Sequence, residues 1–202
     1  MLHRALTVAC TVAALAGPAN AETTWDIDPA HTSVQFAVRH LMISTVHGEF
    51  AEVSGTVVAH DEDLTRSTVQ ATLNASTIDT RDAKRDQHLR SADFFDVERF
   101  PTITFVSRKI APAGDGRWKM TGDLTLHGVT REVVLDVEAP GTRVKDLAGK
   151  TRAGAHATTR INRKDFGIVW NKSLDGGGIA VGDEVDVTID VEGVQQEPAS
   201  GG

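Results

Sequence analysis

The side chains best able to do chemistry in this sequence are its histidines and arginines, and their spacing decides what they could do. Beyond the first 21 residues the histidines stand at 31, 40, 47, 60, 88, 127 and 156. No two have the compact spacing of paired metal ligands, so His31, His40 and His47 could form a metal site only if the fold brought them together. There is no G-x-S-x-G nucleophile elbow, no P-loop, no G-x-G-x-x-G and no H-E-x-x-H. The lone cysteine, Cys10, lies in the leader, which leaves the rest of the chain without thiol chemistry. The glycine-rich run from Asp175 to Asp183 suits a hairpin better than a calcium loop. Polar residues gather instead in four blocks: Asp28-Pro29-Ala30-His31-Thr32-Ser33, Arg39-His40, Arg81 to Ser91, and Arg160 to Gly167.

The residues between these blocks say what must position them. From Glu184 to Glu192, Val185, Val187, Ile189 and Val191 alternate with polar neighbours, the pattern of a strand with one face in a core and one in water. The same alternation runs through Val34, Phe36, Val38 and His40, through Val69, Ala71 and Leu73, and through Val133, Leu135 and Val137. Thr102 to Ile110 and Trp118 to Leu126 are rich in β-branched and aromatic residues and read as strands. Turn residues separate the runs at Asp61-Glu62-Asp63, at Ala113-Gly114-Asp115-Gly116 and at His127-Gly128. Gly48 and Gly55 predict bulges or bends in a long second strand. Only Asp79 to Ala92 lacks the alternation, and its Arg, Asp and Gln content predicts a short helix. Short strands, regular turns and one helical insertion imply an all-β closed sheet or sandwich, not βαβ units.

The N-terminus reads as a secretory signal peptide over residues 1–21. Arg4 supplies the charge, Ala5 to Ala16 the apolar stretch, and Ala19-Asn20-Ala21 the cleavage site, so the mature chain should begin at Glu22. The apolar stretch is too short to span a bilayer, and Cys10 falls inside it, away from a lipid-attachment position. Residues 22–194 are then one domain, long enough for a core without disulfides, and 195–202 a disordered tail. A net charge of −7 with no run of Lys or Arg argues against nucleic acid as a partner. No later segment approaches membrane length, so no integral membrane segment is expected in the mature chain.

Taken in order, the blocks WxIDPAHTSVQFAVRHLM, GEF, RDxHLRSxDFFDVExFPTITF, GDLTLHGVTREV, INRKDFGI and VGDEVDVTID resemble the YceI-like family of periplasmic polyisoprenoid-binding proteins. The resemblance extends from Trp25 to Val191. It implies an eight-stranded antiparallel, lipocalin-like barrel with a short helical insertion, located in the periplasm. It also implies an apolar tunnel for an isoprenoid lipid, either an isoprenoid quinone such as ubiquinone or a polyprenyl phosphate, with no cofactor and no catalytic activity. A homodimer and transient contact with membrane redox proteins are the further partners it suggests. His47 and Trp170-Asn171-Lys172 depart from the family pattern where they could alter the ligand or its access.

An eight-stranded barrel is just wide enough inside for packed side chains or one slim ligand. At about 0.8 kcal/mol per buried CH₂, ten buried carbons could supply several kcal/mol, so binding needs only a dry tunnel. Phe36, Val38, Phe50, Phe94, Phe95, Phe105, Leu124, Leu126 and Phe166 are expected along it, each with the alternative of filling ordinary core. Arg39, His40, Arg85, His88, Asn162 and Arg163 are the candidates to line the mouth and bond a polar head group. The alternative is a structural network in which Asp82, Asp86 and Asp165 pair with these bases and pin the helical insertion to the barrel. His31, just after Asp28-Pro29, fits a structural role in the first turn. Two rival functions stand beside the carrier: an enzyme acting on such a lipid with His88 or His40 as base, and a stress-response or adhesion module with a filled core.

Overall fold

The structure, a computed structural model, describes residues 22–139, 141–175 and 177–197; the expected signal peptide and residues 198–202 of the expected tail lie outside the described residues. Among the described residues twelve strands join in one antiparallel sheet. They are β1 (Glu22–Ile27), β2 (Ser33–His40), β3 (Ser44–Phe50), β4 (Val53–His60), β5 (Thr68–Asn74), β6 (Ile78–Asp79), β7 (Thr102–Gly114), β8 (Arg117–Leu126), β9 (Val129–Glu138), β10 (Arg143–Lys145), β11 (Thr151–Asn162) and β12 (Val181–Gln195).

These segments occupy eight positions around a closed ring. β1 and β2 pair in succession with one edge of β12, Ile27 opposite Gly193 and then Ser33 opposite Asp190. β4 and β3 follow them in the next position, and β9 and β10 share the edge of β11. The other edge of β12 meets β11 from Arg152 opposite Val194 to Asn162 opposite Glu184, which closes the barrel and removes its long free edges. Consecutive positions are neighbours throughout, the up-and-down order. The alternation sets which face is inside: Val185, Val187, Ile189 and Val191 point inward while Glu184, Asp186 and Asp190 are exposed. A slip of one residue would reverse every one of them.

Gly48 and Gly55 mark no bulge, because the ladders run through both, Phe36 opposite Gly48 and Gly55 opposite Ala71. Each makes room instead. A Cβ at Gly48 would stand 2.4 Å from Phe36 Cζ, and one at Gly55 would stand 2.2 Å from the Gln70 carbonyl oxygen. The long second strand breaks between them, at Ala51-Glu52. His127 (φ 52°) and Gly128 (φ 72°) form the two-residue hairpin turn between β8 and β9.

The helical insertion, α1 (Ala83–Arg90), is shorter than the Asp79–Ala92 segment expected. Asp82 sets its start by accepting from the backbone N–H groups of Lys84 and Arg85, each at 3.0 Å. Buried Asp86 ties it down, accepting from Thr80 N–H at 2.9 Å and Thr80 Oγ1 at 2.5 Å. Arg90 donates to the carbonyls of Ser76 and Ile78, both at 2.6 Å. At the chain's far end β12 continues to Gln195, and Gln196 N–H donates to Thr24 O at 2.8 Å. Ordered pairing thus reaches two residues into the segment expected to be disordered, because β1 offers an edge there.

Candidate ligand-binding cavity

A cavity of about 400 Å³ lies inside the barrel, within the size range of small-molecule sites. Leu89, Phe94, Leu126, Ile168 and Val181 border it at the end carrying α1. Leu64, Ser67, Ile110, Trp118 and Ala139 border it at the other. Of the nine side chains expected along a tunnel, Phe36, Val38, Phe50, Phe94, Phe95, Phe105, Leu124 and Leu126 border the cavity. Phe166 does not. It is 2% exposed, packed in the core at the 3-10 turn Arg163–Phe166, where its carbonyl accepts from His127 Nδ1 at 3.1 Å. Val34, Val69, Leu135, Val187, Ile189 and Val191 also border the cavity, on the inward phase of their alternation, although they are not among the nine expected.

Aromatic rings shape the wall. Phe36 and Phe50 lie 5.8 Å apart, and Phe50 meets Phe95 edge-on at 5.6 Å. Gly48 lets the Phe36 ring settle against β3. Gly122 does the same for Phe105, since a Cβ there would stand 2.4 Å from Phe105 Cζ. Small residues on one strand therefore seat large ones on its neighbour and keep the axis open.

The few polar side chains at the border already have partners. Thr32 Oγ1 accepts from Glu192 N–H at 3.2 Å, Ser67 Oγ accepts from His60 N–H at 3.0 Å, and Thr159 Oγ1 donates to Val134 O at 2.9 Å. Arg163, only 5% exposed, is a clamp. Its Nε donates to Gly182 O at 2.9 Å, its Nη1 to Ile168 O at 2.7 Å and Trp170 O at 2.9 Å, and its Nη2 to Asp183 Oδ1 at 3.2 Å. Burial holds its pKa below the usual guanidinium value, an effect that Asp183 offsets only in part. The wall facing the cavity is therefore apolar, with its hydrogen-bonding groups turned away.

The six residues expected at a mouth do not converge. Arg163 alone borders the cavity. Arg39 and His40 are exposed beside the β2–β3 turn, where Arg39 donates to Met42 O at 2.8 Å and Thr45 Oγ1 at 3.2 Å. Arg85 donates to Thr80 Oγ1 and Thr80 O, both at 2.7 Å. His88 Nε2 lies 2.9 Å from Asp93 Oδ2, its ring edge-on between Phe94 and Trp170. Asn162 caps the 3-10 turn and donates to Glu184 Oε1 at 3.0 Å. The physical reason is common to all but His40, which lies exposed at the turn: cations and amides near a barrel end are taken by carbonyls, hydroxyls, caps and neighbouring acids. Asp86 does pin the insertion, through Thr80 rather than through an arginine, whereas Asp82 only caps the helix's first turn. At Asp165 it is the backbone carbonyl that accepts, from Arg131 Nε at 3.1 Å. His88 and His40, the histidines considered as bases, both lie off the cavity border.

His31, His40 and His47 do not come together. Among the described residues, Asp28, His31 and Glu192 are the only group of metal-ligating atoms close enough to share an ion, and Arg152 already fills the space. Its Nη1 lies 2.5 Å from both Asp28 Oδ2 and Glu192 Oε1, and its Nε 2.7 Å from Asp146 Oδ2. Hydrogen bonds from Arg152 and His31 hold the Asp28 carboxyl well below the usual carboxylate range, and the three acids push Arg152 up. A more open groove of about 760 Å³ runs past this network and shares Ala139, Ala155 and Val191 with the cavity.

Comparison with known proteins gives the same outline. The family model described as a YceI-like domain matches residues 25–193. A UPF0312 protein of Staphylococcus aureus strain MSSA476 is 36% identical over 163 residues, covering 81% of this chain and 92% of its own. The crystal structure of BcnA from Burkholderia cenocepacia superposes with a TM-score of 0.70 at 25% identity, over 82% of this chain and 98% of its own. A polyisoprenoid binding domain from Saccharophagus degradans shares the fold, with a TM-score of 0.61 at 14% identity over 85% of this chain and 98% of its own.

Proposed function

The chain belongs to the YceI-like family, and from that premise we propose that it is an exported, non-catalytic carrier of a long-chain isoprenoid lipid in the periplasm. One observation carries the reading: an apolar cavity lies within the barrel, and every polar side chain at its border is engaged elsewhere. Such a space rewards a hydrocarbon chain for each CH₂ it removes from water and asks no chemistry of the protein. The Saccharophagus neighbour, described as a polyisoprenoid binding domain, supports isoprenoid as the class. The cavity volume speaks against a module whose core is merely filled. The leader read over residues 1–21 supports export.

The wall also bears on the head group. Among the described residues the one cation at the border, Arg163, is bound by four carbonyls and Asp183. A phosphate inside would sit beside no available counter-charge, at a heavy desolvation cost. A neutral head, such as that of an isoprenoid quinone, fits better than a polyprenyl phosphate, and exchange with membrane redox proteins is the role such a cargo suggests. Trp118 borders the cavity, so its fluorescence should report on binding. Titration of the lipid-free protein should show quenching by an isoprenoid quinone, competition by the isoprenoid alcohol, and at least about tenfold weaker binding of the equal-length phosphate, or about 1.4 kcal/mol. Preferential binding of the phosphate would overturn the head-group assignment. Failure of all three to bind would overturn the carrier.

A further inference from the structure

The turn between β2 and β3 breaks two rules at once. It runs His40-Leu41-Met42-Ile43, closed by Ile43 N–H donating to His40 O at 3.1 Å. Leu41 (φ 50°) and Met42 (φ 60°) both sit in the left-handed region, at turn positions that favour Asn and Gly. Their side chains are large and apolar, so the backbone is strained. Met42 is also 50% exposed and Ile43 80% exposed. Strain and apolar exposure are both unfavourable for folding, and they fall on adjacent residues of one tip.

The tip is held in place. Leu41 N–H donates to Ala180 O at 2.8 Å, and the Arg39 guanidinium grips Met42 O at 2.8 Å. Basic residues flank it. Arg39 and His40 lie at its base, and Ala180, whose carbonyl accepts from Leu41, donates its own N–H to the Lys172 carbonyl at 2.9 Å. Among the described residues none of Arg39, His40 and Lys172 pairs with a carboxylate, in a chain of net charge −7. Val169, 64% exposed, follows the 3-10 turn at the same end of the barrel.

We propose that this hairpin tip docks the protein on an anionic lipid bilayer. Met42 and Ile43 enter the interfacial layer, and Arg39 and Lys172 meet the phosphate head groups, the pairing of apolar insertion with basic flanks that such surfaces favour. Arg39 and Lys172, neither of them paired with a carboxylate, match the bilayer's charge. The tip's function is independent of what fills the cavity.

The test is co-sedimentation of the mature chain with phosphatidylcholine vesicles, with and without phosphatidylglycerol, comparing wild type, Leu41→Asn/Met42→Gly and Ile43→Ser. Wild type should sediment with the anionic vesicles and be released by salt. Each variant should lose partitioning about tenfold or more, given the apolar surface removed. Leu41→Asn/Met42→Gly should also melt at a higher temperature than wild type, because Asn-Gly suits the turn. Equal partitioning of the variants, no partitioning of the wild type, or a lowered melting temperature in the Asn-Gly variant would each overturn the proposal. So would a lipid-free dimer that the variants dissociate, which would assign the tip to a second copy. Quinone titration of the same variants should match wild type. Loss of quinone binding in the wild type itself would count against the carrier and leave the docking result standing.

Discussion

Arg163→Met tests whether the one guanidinium at the cavity border serves the fold or a ligand. Methionine keeps part of the side chain's bulk and removes every donor. It would strand the carbonyls of Gly182, Ile168 and Trp170. Asp183 would keep only Lys164, whose Nζ lies 2.8 Å from Oδ2. A buried acceptor left without its donor costs about 1–3 kcal/mol, which for three carbonyls gives roughly 3–9 kcal/mol. That is a large part of the ~5–15 kcal/mol stability of an ordinary domain. With a urea m-value of about 1–3 kcal/mol/M, the unfolding midpoint should fall by more than about 1 M, and failure to fold would agree with the same reasoning. Arg163→Lys should recover little, because a single ammonium cannot serve acceptors spread around a planar fork. The reasoning is refuted if Arg163→Met unfolds at the wild-type midpoint and loses affinity only for a lipid with a phosphate head.

Four further outcomes are expected. Val187→Glu places a carboxyl in the apolar cavity, where burial raises its pKa. Quinone should then be retained at low pH, where the group is neutral, and lost as pH rises through the raised value; wild-type affinity at every pH would show that Val187 does not face the ligand. Gly122→Ala forces a Cβ to 2.4 Å from Phe105 Cζ and should push that ring into the cavity, costing about 1–3 kcal/mol and weakening lipid binding together, whereas no change in either would contradict the packing described. Asp28 has its folded pKa depressed by Arg152 and His31, so its contribution is complete above the unfolded value of about 3.9 and is lost as pH falls toward the folded one. Asp28→Asn should therefore destabilise the protein at neutral pH and flatten the acid limb of its melting curve, and an unaltered acid limb would remove the network from the account. The exported chain should have a mass beginning at Glu22; Met1 retained, or lipid on Cys10, would reject the leader as read.

Alternation made much of the barrel legible. Val185 to Val191 and Val133 to Val137 could only face one way, because a period of two leaves a single register that buries both runs. The breaks within positions were not legible: Gly48 and Gly55 invite a bulge, yet each only clears space for a neighbour across the sheet. Phe166 failed for a related reason, since a phenylalanine after a polar block looks the same whether it lines a cavity or sits under a turn. The polar candidates failed as a cluster because residue type does not reveal a partner. Asp82 and Asn162 each precede a helical turn, and that capping signal is the trace in the sequence that marks their neighbourhoods as structural. The strained Leu41-Met42 turn left no trace at all, since Leu and Met read as ordinary strand residues.

The central claim is that the barrel carries an isoprenoid lipid with an uncharged head. Purification of the native protein without detergent, organic extraction and mass spectrometry test it most directly. The expected result is one isoprenoid species, close to stoichiometric with protein and free of phosphate, and depleted from Val187→Glu purified alongside at neutral or higher pH. An extract holding no isoprenoid, or one dominated by a polyprenyl phosphate, would contradict it.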